Sequence, residues 1–345
     1  MDLTILICTH NSEKRIAETL THIYNQKNVS NILWEVLIVD YISSDATLEI
    51  AKNIFADNTI KLRIVNENKR GKTPALEKGL YTALGKAVCI VDDDNWISED
   101  YVAIAHQIMS NHTDVGVIGA FGKPHCEIEP PSWFDDHEGI YAVGSQGTQS
   151  GYVEDKSRLW FWGAGSVFRK EAWLKAKSNG FTPIFNATRG ENSTFITKGF
   201  TGGEDPEMCY AVQLSGFRLW YEPTLQYTHF IPRSRLKNEF ILDAMEGAAK
   251  ATPVLRIYLA ESTPKSLLRF IRKTLYENWL LHLIFILIRF AVLQLKVLLG
   301  NYSDKNFAFT KNRKEYFTQI KTLWELRTSY CNIVISIKQL YKGVI

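Results

Sequence analysis

Polar and apolar positions along the first hundred residues fall into blocks, and the blocks repeat. Residues 3–8 form a β-prone run that ends at the polar turn Thr9-His10-Asn11-Ser12, and a stretch with helical apolar spacing follows through Tyr24. Residues 34–39 form a second run, closed by Asp40 and by Ser43-Ser44-Asp45, ahead of a helix over about 46–55. A third run at 62–65 leads through Gly71 to Pro74, which suits the first turn of a helix reaching Leu84. The fourth run, 87–91, passes straight into Asp92-Asp93-Asp94-Asn95. Strands that alternate with helices at this spacing predict an α/β fold with a mostly parallel sheet covered on both faces. Ligands of such sheets lie at the carboxyl ends of the strands.

Composition narrows this picture only slightly. A chain of 345 residues that is 46% hydrophobic has room for one large α/β domain with an extension, or for two domains. Its net charge of +3 is too small to argue for a nucleic-acid partner. Cys8, Cys89, Cys126, Cys209 and Cys331 are scattered without CxxC spacing, which reads as buried, reduced thiols in a reducing compartment. The apolar N-terminus lacks the basic region and cleavage site of a signal peptide and reads as the first strand.

Three carboxylates at a strand end repel one another, and a hard divalent cation, Mg²⁺ or Mn²⁺, shared with phosphate is the usual relief. The alternative is helix capping by Asp94 or Ser98 ahead of a helix starting near Glu99; a cap needs one carboxylate rather than three. The same sheet edge collects Thr9, Asn11, Asp40, Arg70 and Lys72. Each alone is an ordinary turn or surface residue, but together they suit a nucleoside diphosphate, with Asp40 accepting from a base or ribose. Neither GxxxxGK[ST] nor GxGxxG follows the first strand, so metal and side chains would have to hold the phosphates.

These residues resemble the inverting family-2 glycosyltransferases of GT-A fold. Ile7-Cys8-Thr9-His10-Asn11 is similar to that family's strand and Thr-aromatic-Asn turn, and Val39-Asp40 with Ser43-Ser44-Asp45 to its Val-Asp-Asp-Gly-Ser-x-Asp signature. Tyr41 and Ile42 replace the second acidic residue and the glycine. Asp92-Asp93-Asp94 looks like the DxD motif. The resemblance implies a metal held by Asp94 with Asp92, and nucleotide or ribose contacts from Thr9, Asn11, Asp40, Lys72, Asp92 and Asp93.

The resemblance continues through the Gly-rich stretch Gly163-Ala164-Gly165 and the basic turn at Arg169-Lys170, to Gly202-Gly203-Glu204-Asp205. It implies that Asp205, with Glu204 beside it, is the catalytic base. Inversion needs a carboxylate on the side of the anomeric carbon opposite the leaving nucleotide. A bare helix N-terminus favoured by its dipole is the competing reading of the pair. A strand over 217–222 stops at Pro223, and His229 after it is either a packing residue or, as the family implies, a further metal or diphosphate contact. The aromatic clusters at 130–134 and 158–162 read as core or as acceptor-cleft rings, Trp162 first among them. Residues 186–200 read as a loop that could act as a lid.

Composition changes from about Phe240. A helix is expected at 236–251, and residues 279–299 are long and apolar enough to span a bilayer. His282, Arg289 and Lys296, seven residues apart, favour instead a helix lying on the membrane with this basic stripe toward anionic headgroups; a helix packed on the catalytic domain or on a second subunit is the alternative. The expected organisation is a catalytic GT-A domain at 1–235, with a nucleotide-binding half at 1–122 and an acceptor-binding half at 123–235. A helical, membrane-associating extension follows at 236–345. The expected activity is metal-dependent, inverting transfer from a nucleotide-sugar donor, UDP favoured, to a saccharide or lipid-linked acceptor in cell-surface polysaccharide synthesis. The chain would be cytoplasmic and peripheral on the inner face of the membrane, with a homo-oligomer possible. Two other functions use the same features: a nucleotidyltransferase, and a non-catalytic membrane-docked nucleotide- or carbohydrate-binding protein.

Overall fold

The computed structural model describes residues 1–57, 59–69, 71–153, 159–185, 202–299 and 307–342. The predicted alternation forms as read: β1 Leu3–Thr9, α1 Ile16–Tyr24, β2 Trp34–Asp40, α2 Thr47–Ile54, β3 Lys61–Asn66, α3 Lys72–Thr82 and β4 Ala87–Ile90. All seven β1 residues are buried, as expected of a central strand with helices on both faces. These four strands pair in parallel, and their carboxyl ends align: Thr9 lies opposite Asp40, and Asp40 opposite Asn66.

The second half departs from a purely parallel arrangement. It contains β5 Asn95–Ile97, α4 Tyr101–Asn111, β6 Val115–Cys126, a 3₁₀ turn at Asp135–Tyr141, β7 Gly151–Tyr152, β8 Val167–Arg169, α5 Lys170–Ser178, α6 Glu204–Leu214 and β9 Arg218–Ile231. The sheet order is β3-β2-β1-β4-β8-β6-β9-β5, with β7 also on β9. Strand β8 enters antiparallel between β4 and β6, and β5 and β7 run antiparallel to β9. Strand β9 does not stop at Pro223. Its pairing with β6 shifts register between Gly119 and Phe121, so the residues around Pro223 bulge out of the ladder and no hydrogen bond is lost to the missing N–H.

Helices α1, α2 and α4 cover one face of the sheet through Ile16, Leu20, Ala51 and Val102. Helices α3, α5 and α6 cover the other through Leu76, Leu80, Trp173 and Met208. After a short 3₁₀ turn at Arg233–Arg235, the chain ends in α7 Asn238–Ser262, α8 Leu267–Glu277, α9 Trp279–Leu298, α10 Phe307–Leu326 and α11 Tyr330–Lys342. Helix α7 continues well past the predicted end at 251, with Pro253 inside it. An interior proline costs about 3 kcal/mol. Burial of Val254, Ile257 and Tyr258 in the same turns offsets that cost.

The basic stripe of α9 divides: His282 is turned into the protein, in contrast to the expectation, while Arg289 and Lys296 stay exposed. His282 is fully buried, between the Tyr330 hydroxyl at 2.8 Å and Arg256 at 3.2 Å, and burial pulls its pKa down to about 3. Arg289 lies over the rings of Phe285 and of Tyr316 on α10. The exposed surface of α9 also carries Ile284, Leu287, Ile288 and Leu295. By length and composition α9 could cross a membrane. His282 is turned toward the protein because Arg256 of α7 and Tyr330 of α11 supply its partners.

Candidate active site

The acidic triplet leaves the sheet between β4 and β5, and each carboxylate takes a separate neighbourhood. None of them caps α4, whose N-cap residue is Asp100. Asp92 pairs with Lys72 at 2.5 Å, at the first position of α3. Asp93 turns back toward the loop after β1: Thr9 donates to it at 2.9 Å, Arg15 Nε at 2.7 Å, and Ser12 Oγ also. Its oxygens take these protein donors, and it braces that loop. Thr9 is part of the same brace.

Asn11 also braces these turns and is itself exposed. It holds a left-handed conformation at φ +49°, and its Oδ1 accepts the Ser44 N–H at 2.8 Å, tying together the turns after β1 and β2. Asp40 accepts the Ser43 N–H at 3.2 Å through one oxygen, while its other oxygen is buried without a partner. Ile42, standing where the resembling family has glycine, has φ +69°. The side chain has changed and the backbone conformation that glycine favours has stayed. Arg70 lies outside the described residues, as does the segment 186–200 read as a lid.

Asp94 faces the far end of the sheet. Antiparallel pairing sets His229 opposite Asn95, and this brings His229 Nε2 to 3.6 Å from Asp94 Oδ1. Arg235 Nη1 lies 3.5 Å from Asp94 Oδ2 and 3.2 Å from His229 Nε2. Burial works against the Asp94 charge, but His229, Arg235 and Arg15 outweigh it and hold the pKa at about 2. His229 Nδ1 lies 2.6 Å from the Tyr141 carbonyl. The carbonyl can only accept, so Nδ1 carries a proton, and Nε2 is left facing Asp94 and Arg235. Metal-ligating histidines are oriented in this way. Among the described residues no three His, Cys, Asp or Glu side chains converge. Asp94 and His229 are two donors of the kind that Mg²⁺ and Mn²⁺ sites complete with phosphate and water, and Arg235 contacts both of them in this structure.

The second acidic pair stands at the start of α6. Gly203 precedes it at φ +106°, and a Cβ there would lie 2.8 Å from Ala251 of α7, so glycine is required for both conformation and space. The Gly163 N–H donates to Asp205, and a Cβ on Gly163 would come within 2.3 Å of Asp205 Oδ1. Lys72 feels both acidic groups: burial opposes its charge, but Asp92, Asp205 and Glu204 raise its pKa. The half-buried ammonium thus joins the triplet to the pair.

Glu204 and Asp205 titrate together. Burial pushes both pKa values up; the Asp205 charge helps carry Glu204 to about 7, while Lys72 and the Gly163 N–H restrain the rise of Asp205. A proton on either carboxylate weakens the pair as a base. For any reaction in which Asp205 accepts a proton, kcat/KM is expected to fall as pH drops below about 7, above the ordinary carboxylate range. Glu204→Gln should move that limb to lower pH; a limb that stays in place would assign it to another group.

Three participants escaped the sequence reading. Arg15 and Arg235 hold the triplet from residues 78 and 141 positions away, and the only signal was a basic residue close after each strand end. Glu207, one turn into α6, is buried and accepts from the Ile184 and Phe185 N–H groups and from the Tyr258 hydroxyl. Burial raises its pKa to about 8. It locks α6 to α7 and to the segment before residue 186.

The family model for glycosyl transferase family 2 matches residues 4–187, more than half of the chain. This chain belongs to that family. Among curated family members, the poly(ribitol-phosphate) beta-N-acetylglucosaminyltransferase TarS of Staphylococcus aureus is 29% identical over 119 residues, 34% of this chain and 21% of TarS. The glycosyltransferase GlyG of Streptococcus pneumoniae is 30% identical over 121 residues, 34% of this chain and 38% of GlyG. The match thus spans well under half the length of either relative. Among solved structures, residues 1–349 of S. aureus TarS in complex with UDP-GlcNAc superpose with a TM-score of 0.53 at 16% identity, over 95% of this chain and 92% of that one. The mannosyltransferase PcManGT of Pyrobaculum calidifontis, in complex with GDP-Man and Mn²⁺, gives 0.51 at 18% identity, over 93% and 87%. At these identities the likeness is one of fold, and the expected family-2 architecture of a helix-flanked sheet with C-terminal helices stands.

Proposed function

We propose that this family-2 protein is a metal-dependent, inverting glycosyltransferase acting on a nucleoside-diphosphate sugar, with UDP the favoured nucleotide. The observation that carries the reading is the pairing of two acidic sites through Lys72: a cation-suited edge at Asp92 and Asp94, and a proton-accepting pair at Glu204 and Asp205. The fold shared with proteins solved in complex with UDP-GlcNAc and GDP-Man supports such a donor.

Residues 1–122 would hold the donor, residues 123–235 the acceptor. The unpaired Asp40 oxygen would accept from the base, and Lys72 with Asp92 would meet the diphosphate. Asp94 and His229 would ligate Mn²⁺ or Mg²⁺, which when bound offsets charge on the leaving diphosphate. Asp205 takes the proton of the acceptor hydroxyl as its oxygen attacks the anomeric carbon. The bond from that carbon to the diphosphate breaks, its electron pair leaves with the nucleotide, and the configuration inverts.

The acceptor would be a saccharide or a lipid-linked saccharide of a cell-surface polysaccharide, met at the inner face of the membrane. Exposed Leu267, Leu268, Phe270 and Ile271 on α8 continue the apolar face of α9 and support this location. Lys265, Arg289 and Lys296 are exposed in the same region, a charge suited to anionic headgroups.

A panel of nucleotide sugars, incubated with and without Mn²⁺, tests the activity. Metal-dependent release of free nucleotide from one donor is expected, and binding without any turnover would favour a non-catalytic role. Flotation with phosphatidylglycerol vesicles tests the location; a protein that stays in the soluble fraction would remove the membrane from the reading.

A further inference from the structure

The contacts of Arg235 set it apart from the other cations at the sheet edge. Arg15 pairs with Asp93 at 2.7 Å and Lys72 with Asp92 at 2.5 Å. Arg233, two residues earlier in the same 3₁₀ turn, is exposed, and its N–H donates to Glu127. Arg235 instead reaches two groups with one nitrogen: Nη1 lies 3.2 Å from His229 Nε2 and 3.5 Å from Asp94 Oδ2. Those two side chains are the protein donors assigned above to the divalent cation.

Their spacing suits that role. Two atoms bound to one Mg²⁺ at about 2.1 Å each stand no more than about 4.2 Å apart, and His229 Nε2 is 3.6 Å from Asp94 Oδ1. The ring nitrogen, however, has a single lone pair. A guanidinium only donates, so its hydrogen bond to Nε2 takes that pair. A cation ligated by His229 needs the same pair, and it needs the carboxylate whose charge Arg235 balances. His229 cannot serve both at once.

The backbone around this contact is fixed, while the guanidinium is reachable. Tyr141 is buried; its hydroxyl donates to the Arg235 carbonyl at 3.0 Å, and its own carbonyl accepts from His229 Nδ1 at 2.6 Å. Tyr141 also stacks on Phe240 of α7, and Arg235 Cζ lies 6.0 Å from the same ring. The Arg235 side chain is 31% exposed, against 9% for Asp94 and for His229. Solvent therefore meets the guanidinium, and it can leave its partners without unpacking either of them.

We infer that Arg235 is a built-in competitor of the divalent cation: its guanidinium holds Asp94 and His229 together, and a cation binds by displacing it. The inference rests on the metal-dependent transferase reading and adds a regulation of that site. A diphosphate favours the exchange twice, giving the cation oxygen ligands and the guanidinium a second anion. Cation and nucleotide are therefore expected to bind together, and the cation alone only weakly.

Calorimetric titration of the full chain with MnCl₂, without nucleotide, reads the competition. Arg235→Gln should bind Mn²⁺ about tenfold more tightly than wild type, because the apparent affinity of a site is lowered by the fraction of molecules in which it is open. Arg235→Met, which keeps an apolar stem beside Phe240, should do the same and serves if the glutamine variant does not fold. Arg233→Gln removes an equal charge from the same turn and should leave the affinity unchanged. In ¹⁵N spectra Mg²⁺ should shift the Arg235 Nε–H resonance, assigned by its loss in Arg235→Gln. Equal Mn²⁺ affinity in wild type and both Arg235 variants would overturn the inference, as would an Arg235 resonance that stays in place while Mg²⁺ saturates. Tightening of the same size in Arg233→Gln would also overturn it, by reducing the effect to net charge. The metal reading is tested separately by Asp94→Ala: binding as in wild type would place the cation elsewhere, whereas binding lost there with no gain in the Arg235 variants sinks this inference alone.

Discussion

Asp205→Asn is expected to lower turnover about 10³-fold while leaving donor affinity close to wild type, within the usual worth of a positioned general base. Asparagine keeps the size of the side chain, so the tight approach of Gly163 is preserved, but it offers no oxygen basic enough to take the acceptor proton. Lys72 retains Asp92, its nearest partner at 2.5 Å, and the donor side of the site keeps its charge balance. Product formation with the active donor and calorimetric titration with UDP separate the two effects. Full turnover in this variant would remove Asp205 from the mechanism, and loss of UDP binding would mean that the pair shapes the donor site instead.

Asp94→Ala is expected to remove the metal response and most of the rate together. A metal at a developing anion supplies several kcal/mol, so a loss of about 10²- to 10³-fold follows, with rates that no longer change between Mn²⁺ and chelator. The fold should survive. Arg235 and His229 keep their contact with one another at 3.2 Å, and His229 keeps the Tyr141 carbonyl. Circular dichroism controls for unfolding. A variant that still responds to Mn²⁺ with an unchanged midpoint would place the cation elsewhere.

The parts of this site legible in the sequence were those written locally. A β-prone run ending in charge announces a strand that leaves the core, and for this reason Asp40 and Asp92-Asp93-Asp94 were found as a group. Glu204 and Asp205 were found through the glycines before them and the helical spacing after them. What the triplet does residue by residue was not legible. Asp93 belongs to Thr9, Ser12 and Arg15 only because β1 and β4 are neighbours, and Asp94 belongs to His229 only because β5 turns back onto β9. Non-local pairing of that kind leaves no periodic trace. The α9 spacing says that His282, Arg289 and Lys296 lie along one stripe but not what covers each of them. Tyr330, some fifty positions later, takes His282 into the protein, while Arg289 and Lys296 stay exposed.

Lys72 belongs to both acidic sites at once, and this sharing sets a sequence of events. While the donor site is empty, the ammonium is divided between Asp92 and the Glu204–Asp205 pair, and it holds down the pKa of Asp205. On the proposed mechanism, a diphosphate entering beside Asp92 would bring more negative charge and draw the ammonium toward itself. Asp205 would then lose countercharge and become the stronger base once a sugar is in place to be attacked. In kinetic terms the donor would arm the base, and the proposal therefore predicts an ordered mechanism in which donor binds before acceptor.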